Sequence, residues 1–225
     1  MKKRNIFRII FSILLITAMI PGKINGQSSK ANPSLDEKVK KFLADHSGQW
    51  HDLNIPEADG ITLYDLIIKG NYKSALEIGT STGHSGIYIA WALSKTGGKL
   101  TTIEIDESRH KTAVENFKQA GLSEYIDARL ADAHLLVKEL KGPFDFVFSD
   151  ADKDWYKNYF IDVDPKLIAG GCFTAHNISA GGTGGFGGNT GQAIFLNYIK
   201  SLKNYETTVN TKGGGLSISY KKAEK

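Results

Sequence analysis

The chain has 225 residues, 41% of them hydrophobic and 23% charged. That is the balance of a globular protein, one large domain or two small ones, and it excludes a disordered or fibrous chain. The formal charge of +4 is unevenly spread: Met1 to Gly26 holds Lys2, Lys3, Arg4, Arg8 and Lys23 with no acid, which leaves 23 bases against 24 acids in residues 27–225, a net −1. A near-neutral domain lacks the basic surface that a nucleic-acid partner requires, and Cys172, the single cysteine, excludes an intrachain disulfide and any Cys-based zinc site.

In chain order, the first expected element is a targeting segment. Lys2, Lys3 and Arg4 precede 12 uncharged residues from Ile9 to Ile20, and the run breaks at Pro21 and Gly22 before the small residue Gly26. This is the pattern of a secretory signal peptide. A helix needs about 20 apolar residues to span a bilayer, so a cleaved leader is expected over a signal anchor, the alternative in which the basic end stays in the cytoplasm. Residues 1–26 are thus expected to be removed before Gln27, residues 27–33 to be a linker, and residues 34–225 to form an exported domain, periplasmic or secreted, without membrane contact.

Ser34 followed by Glu37 forms a capping box, with Leu35, Val39, Phe42 and Leu43 on one face of the helix it opens. A second helix is expected over Ile61 to Ile68. From Ala75 onward brief apolar runs alternate with amphipathic stretches. Strands are expected at Ala75–Ile78, Leu100–Ile105, Tyr125–Leu130, Phe144–Phe148 and Leu167–Ala175. Helices are expected near Ser85–Leu93, Ser108–Ala120, Ala133–Leu140 and Trp155–Ile161, some ending at a glycine such as Gly121 or Gly142. The alternation predicts a parallel sheet covered on both faces. A further helix around Phe195 to Leu202 precedes two strands, Tyr205–Val209 and Leu216–Tyr220, whose short glycine-rich link forces an antiparallel pair.

The chemistry-bearing residues begin where the first of these strands ends, in Ala75-Leu-Glu77-Ile-Gly79-Thr80-Ser-Thr-Gly83-His-Ser85-Gly86. Glycines let a ligand approach the backbone, and the amides of the following helix point toward it. A dinucleotide fingerprint has glycine at its first, third and sixth positions, whereas this turn has Ser81 at the third, which disfavours an NAD-linked oxidoreductase. Glu104 ends the second strand, where an acidic side chain suits the two hydroxyl donors of a ribose.

Taken together, Leu-Glu-Ile-Gly-Thr-x-x-Gly, then Thr-Ile-Glu-Ile-Asp, then Phe148-Ser-Asp150-Ala-Asp152-Lys153 resemble the cation-dependent O-methyltransferases of the catechol and caffeoyl-CoA type, over roughly residues 55–220. The resemblance implies an α/β fold, a doubly wound Rossmann-like sheet of seven strands with the last pair antiparallel. It implies S-adenosylmethionine as cofactor, with Glu77, Gly79, Thr80 and Ser85 holding the methionine part, Glu104 the ribose, Asp132 and Ala133 beside the adenine, and a backbone contact from Ile55. It further implies that Asp150 is both a cofactor-site residue and a metal ligand, that Lys153 removes the acceptor hydroxyl proton, and that Asp152 contacts substrate. A phenol with pKa about 10 is a poor nucleophile at neutral pH until a cation or base favours its oxyanion.

One position departs from the family. Where it usually has Asp-Asn after the fifth strand, this chain has Ala175-His176-Asn177. Asp150, His176 and Asn177 as a ligand set would favour a transition metal over magnesium, because imidazole suits the former and magnesium prefers oxygen. The remaining histidines, His46, His51, His84, His110 and His134, show no ligand spacing and read as solvated or structural. Ala180 to Gly191 holds seven glycines and one large side chain, Phe186, a candidate cover for an acceptor. The expected protein is an exported S-adenosylmethionine-dependent O-methyltransferase acting on a small hydroxylated, catechol-like acceptor. A non-catalytic nucleoside-binding protein that keeps the fold is the competing expectation.

Overall fold

The structure, a computed structural model, describes residues 33–179 and 190–223. The expected leader, nearly all of the expected linker and most of the glycine-rich stretch, Phe186 included, lie outside the described residues. Among the described residues no helix is long and apolar enough to cross a membrane.

Helix α1 (Leu35–Asp45) opens with the expected capping box: the Ser34 hydroxyl accepts from the Glu37 amide, and the Glu37 carboxylate accepts from the Ser34 amide at 2.7 Å. Helix α2 (Glu57–Gly70) starts four residues before the expected Ile61. Pro56 holds the extended cap position, and Glu57 and Asp59 occupy the first turn, where acids favour the helix dipole. The earlier start brings Asp59 onto the same face as Leu63 and Ile67, and all three are fully buried.

The strands follow as β1 (Ser74–Ile78), β2 (Lys99–Glu104), β3 (Ile126–Leu130), β4 (Phe144–Ser149), β5 (Leu167–His176), β6 (Tyr205–Asn210) and β7 (Leu216–Lys221). The connecting helices are α3 (His84–Thr96), α4 (Glu107–Gln119), α5 (Ala133–Glu139), α6 (Tyr156–Val163) and α7 (Gly191–Ser201). The sheet order is β3-β2-β1-β4-β5-β7-β6. Its first five strands are parallel, and β7 pairs antiparallel with both β5 and β6. Gly121 follows α4 with φ 77°, as expected of a helix terminator, but α5 ends at Glu139 and Gly142 serves the turn into β4 instead.

Each central strand feeds two cores because successive side chains point to opposite faces. Leu76, Val147 and Phe173 pack with α5, α6 and α7, around Phe160 and Phe195. Ala75, Phe146 and Cys172 pack with α2 and α3, around Leu63, Ile67 and Ile89. The far side of α3 meets α1 and α4 through Ile87, Phe42 and Phe117. The order in which strands are laid down reverses between the parallel neighbours β1 and β4, and open α/β sheets place ligands beyond the carboxyl ends at such a switch point. There the backbones touch: the Asp150 amide donates to Ile78 O at 2.8 Å.

Candidate active site

The glycine turn after β1 is shaped by close approaches. Gly79 has φ 98°, and a Cβ there would lie 2.8 Å from Asp150 O, so only glycine lets the two strand ends meet. Gly83, also at φ 98°, caps α3, and a Cβ there would lie 2.7 Å from the Phe117 ring. Ser81 adopts φ 48° at the position where a dinucleotide turn has glycine.

This turn borders a cavity of about 440 Å3 that also reaches the ends of β2, β4 and β5, a size suited to a cofactor-sized ligand. Of the residues expected to bind a cofactor, Gly79, Thr80, Ser85, Glu104, Asp132, Ala133 and Asp150 line it. Glu104 is nearly buried; its Oε2 accepts from the Ser81 amide at 2.7 Å, and its Oε1 accepts from the amides of Ile105 and Asp106 at 3.0 and 2.9 Å. Three backbone donors fix the carboxylate at the cavity wall and leave lone-pair capacity for a ligand hydroxyl. Asp132 caps α5 by accepting from the His134 amide at 2.8 Å. A glycine cradle at one strand end and a fixed acid at the next fit a nucleoside-containing cofactor.

Two of the expected residues stand apart. Glu77 lies under the turn, fully buried and outside the cavity wall, with Oε2 accepting from Thr102 at 2.5 Å and Oε1 without a hydrogen-bond partner among the described residues. Burial raises its carboxyl from an ordinary 4.5 to about 8, against the opposing hydrogen bonds from Ser85 and Thr102. Ile55 is buried among α2 and α3 side chains, and its carbonyl is engaged by His84 Nδ1 at 2.9 Å. Its neighbour Asn54 lines the cavity in its place.

At the other end of the cavity stand Asp150, Asp152, Lys153, His176 and Asn177. Lys153 Nζ donates to Asp150 Oδ1, and Asp152 caps the short turn before α6. His176 Nδ1 lies 3.2 Å from Asp150 Oδ2, and His176 Nε2 lies 3.0 Å from Asp59 Oδ2. Burial alone would lower this imidazole, but the hydrogen bonds to Asp150 and Asp59 prevail and raise it to about 9. The buried Tyr156 hydroxyl donates to His176 O at 3.2 Å and faces Asp150 Oδ1 at 3.4 Å. Asp150 and His176 therefore meet as the sequence suggests, but as an ion pair. Asn177 is exposed, in the left-handed region at φ 55°. Among the described residues no group of three or more His, Cys, Asp or Glu side chains is arranged as a metal site; both His176 ring nitrogens face carboxylates, and an imidazole held so offers no lone pair to the cation that the resemblance implies.

Sequence reasoning missed the wall residues Leu53, Asn54, Arg109 and His134 and two acids that sit behind the wall, Asp52 and Asp59. Asp52 and Leu53 both have φ 65°, and the segment is strapped to the cofactor end: Arg109 forms a two-pronged pair with Asp52 at 2.8 and 3.0 Å, and Asn54 donates to Thr82 at 2.7 Å. His134, expected to be solvated or structural, lines the cavity, stacked on Tyr159 and tilted against Trp155, with ring centroids 5.7 and 4.4 Å away. Asp59 was missed altogether. Its signal was an acid at the i, i+4, i+8 positions of an otherwise apolar helix face.

A family model described as O-methyltransferase matches residues 25–182. The catechol O-methyltransferase of Niastella koreensis is 42% identical over 92 residues, 39% of this chain and 41% of that one. A putative caffeoyl-CoA O-methyltransferase of Arabidopsis thaliana is 32% identical over 144 residues, 63% and 62% of the two chains. The chain thus spans about half the length of the curated relatives it matches. Among solved structures, the O-methyltransferase TomG from Streptomyces achromogenes, in complex with SAM, is 25% identical with a TM-score of 0.68, covering 84% of this chain and 91% of that one. An O-methyltransferase from Bacillus cereus in complex with SAH, 22% identical, has a TM-score of 0.70 over 87% and 94% of the chains, a likeness of fold. The family model covers most of the chain and the fold agrees with it: the chain belongs to the O-methyltransferase family.

Proposed function

We propose that the protein is an S-adenosylmethionine-dependent O-methyltransferase acting on a hydroxyl of a small, catechol-like aromatic acceptor. The observation that carries this reading is one cavity with two chemically distinct ends: the Gly79 turn and Glu104 on one side, and the Asp150–Lys153 pair on the other. Relatives named for catechol and caffeoyl-CoA support the acceptor class.

When bound, S-adenosylmethionine supplies a methyl group on a positively charged sulfur, which passes to the acceptor oxygen as the carbon–sulfur bond breaks. The chain's contribution is position and proton control. Glu104 holds the ribose, Gly79, Thr80 and Ser85 hold the methionine part, and Asp132 and Ala133 lie beside the adenine. Lys153 Nζ removes the acceptor hydroxyl proton and, once protonated, remains beside the oxyanion with Asp150 as its counter-ion. Asp152, at the same end, faces the acceptor. The basic, short apolar N-terminus supports export of this domain by a cleaved leader.

Isothermal titration with S-adenosylmethionine, S-adenosylhomocysteine and NAD tests the cofactor assignment. Binding of the first two and not of NAD is expected. Binding of NAD alone would replace the reading with an oxidoreductase, and cofactor binding with no transfer to any hydroxylated aromatic would leave a nucleoside-binding protein.

A further inference from the structure

The acceptor end of the cavity is organised around a residue outside every sequence motif. Asp59, on the first turn of α2, is fully buried, and its Oδ2 accepts from the Gly214 amide at 2.6 Å as well as facing His176 Nε2. Among the described residues its other oxygen has no hydrogen-bond partner, and His176 is the basic side chain paired with it. A carboxylate only accepts, and an imidazole placed between two of them donates from both nitrogens. No ring lone pair is then left for a cation. Both Asp150 oxygens are engaged as well, Oδ2 by His176 and Oδ1 by Lys153.

Building on the methyltransferase reading, we propose that this site works without a metal ion: the His176 ring, held through its two nitrogens between Asp59 and Asp150, occupies the place beside Asp150 that a divalent cation would otherwise take. Asp59 is the positioning residue of this arrangement. The chain Asp59···His176···Asp150···Lys153 sets two acids against two nitrogen bases, and its charges close once Lys153 holds the acceptor's proton. The hairpin between β6 and β7 is fitted to it. A Cβ at Gly213 would lie 2.4 Å from the Asp59 carboxyl group, and one at Gly214 would lie 2.5 Å from His176 Nε2. The glycines let backbone close over the pair and keep water from it. A buried charge left without its partner is strongly unfavourable, which ties Asp59 and His176 to each other.

The opposing arrangement is a metal-bound His176 with Asp59 as its outer hydrogen-bond partner, and metal content separates the two. The protein is purified without chelator, its metal is measured by mass spectrometry, and methyl transfer to a catechol is followed before and after EDTA, with magnesium, manganese or zinc added back. Substoichiometric metal and an unchanged rate in EDTA are expected. Nitrogen NMR of His176 should show both ring nitrogens protonated. Asp59→Asn should remove one of those protons and lower kcat by at least about tenfold while S-adenosylmethionine affinity stays within about twofold. His176→Asp, which creates an oxygen site, should be inactive in EDTA and recover with magnesium. Stoichiometric metal together with activity lost in EDTA and restored by one cation would overturn the proposal. If no acceptor is methylated at all, the functional reading fails, and metal content and the His176 signals still decide this one. The wild-type measurements stand even if a variant does not fold.

Discussion

Glu104 is the residue on which cofactor binding turns. Its carboxylate is held by three amides, so Glu104→Ala would strand three donors along with removing the ligand contact, and Glu104→Gln is the cleaner test. Losing a charged acceptor of ribose hydroxyls costs about 1.5–3 kcal/mol, so calorimetry should show at least about a tenfold weaker S-adenosylmethionine affinity. An unchanged affinity in the folded variant removes Glu104 from the site. Glu77 predicts a pH effect. Its carboxyl is raised from 4.5 to about 8 in the folded protein, so between these values the folded state holds a proton that the unfolded chain has released. Its contribution to stability is full below about pH 4.5 and is lost as pH rises through about 8. Urea midpoints at about pH 5 and about pH 8.5 should therefore fall more steeply for the wild type than for Glu77→Gln; equal slopes would contradict the shift. At this scale the sequence was legible wherever a motif fixed spacing along the chain, as for Gly79, Glu104, Asp150 and Lys153. Asp59 and His176 meet across 117 positions, and only tertiary packing joins them.

Among the elements, the β6–β7 hairpin is where local sequence and site chemistry meet. The run Gly213-Gly214-Gly215 reads as a turn, and it is one. Gly215 has φ 91° and requires glycine for its backbone, whereas Gly214 requires it for the His176 ring. Gly214→Ala should therefore fold, since its φ is ordinary, but push the imidazole off Asp59. A methyl-transfer assay should show a kcat loss of about tenfold or more with S-adenosylmethionine affinity retained, and full activity would mean that the hairpin merely closes the sheet. Strand boundaries fell within a residue or two of expectation because short, nearly continuous apolar runs bounded by turn residues mark strands buried on both faces. Helix ends were less exact: α2 starts four residues before Ile61 and α7 four before Phe195. For α2, Pro56 was the start signal, and the buried acid three residues later masked the apolar face that would have extended the helix toward it.

The whole molecule follows from its sheet order. Reversal between β1 and β4 places the carboxyl ends of β1, β2, β4 and β5 around one cavity, so residues far apart in sequence share a wall. The alternation of strands and helices made this architecture legible; which side chains close the acceptor end was not, because that depends on α2 and the last hairpin folding against β5. Export belongs to this scale too. N-terminal sequencing from the native host should begin at Gln27, giving a mature chain of 225 − 26 = 199 residues, and an intact Met1 in the cytosol would overturn the leader.

The most direct measurement is transfer of an isotope-labelled methyl group from S-adenosylmethionine to a small catechol, by the wild type and by Lys153→Met. The wild type should yield a methylated catechol hydroxyl and S-adenosylhomocysteine in equal amounts, and the variant should turn over about a hundredfold or more slowly while binding the cofactor normally. Full turnover by Lys153→Met, or no label on any hydroxylated aromatic despite tight cofactor binding, would contradict this mechanism.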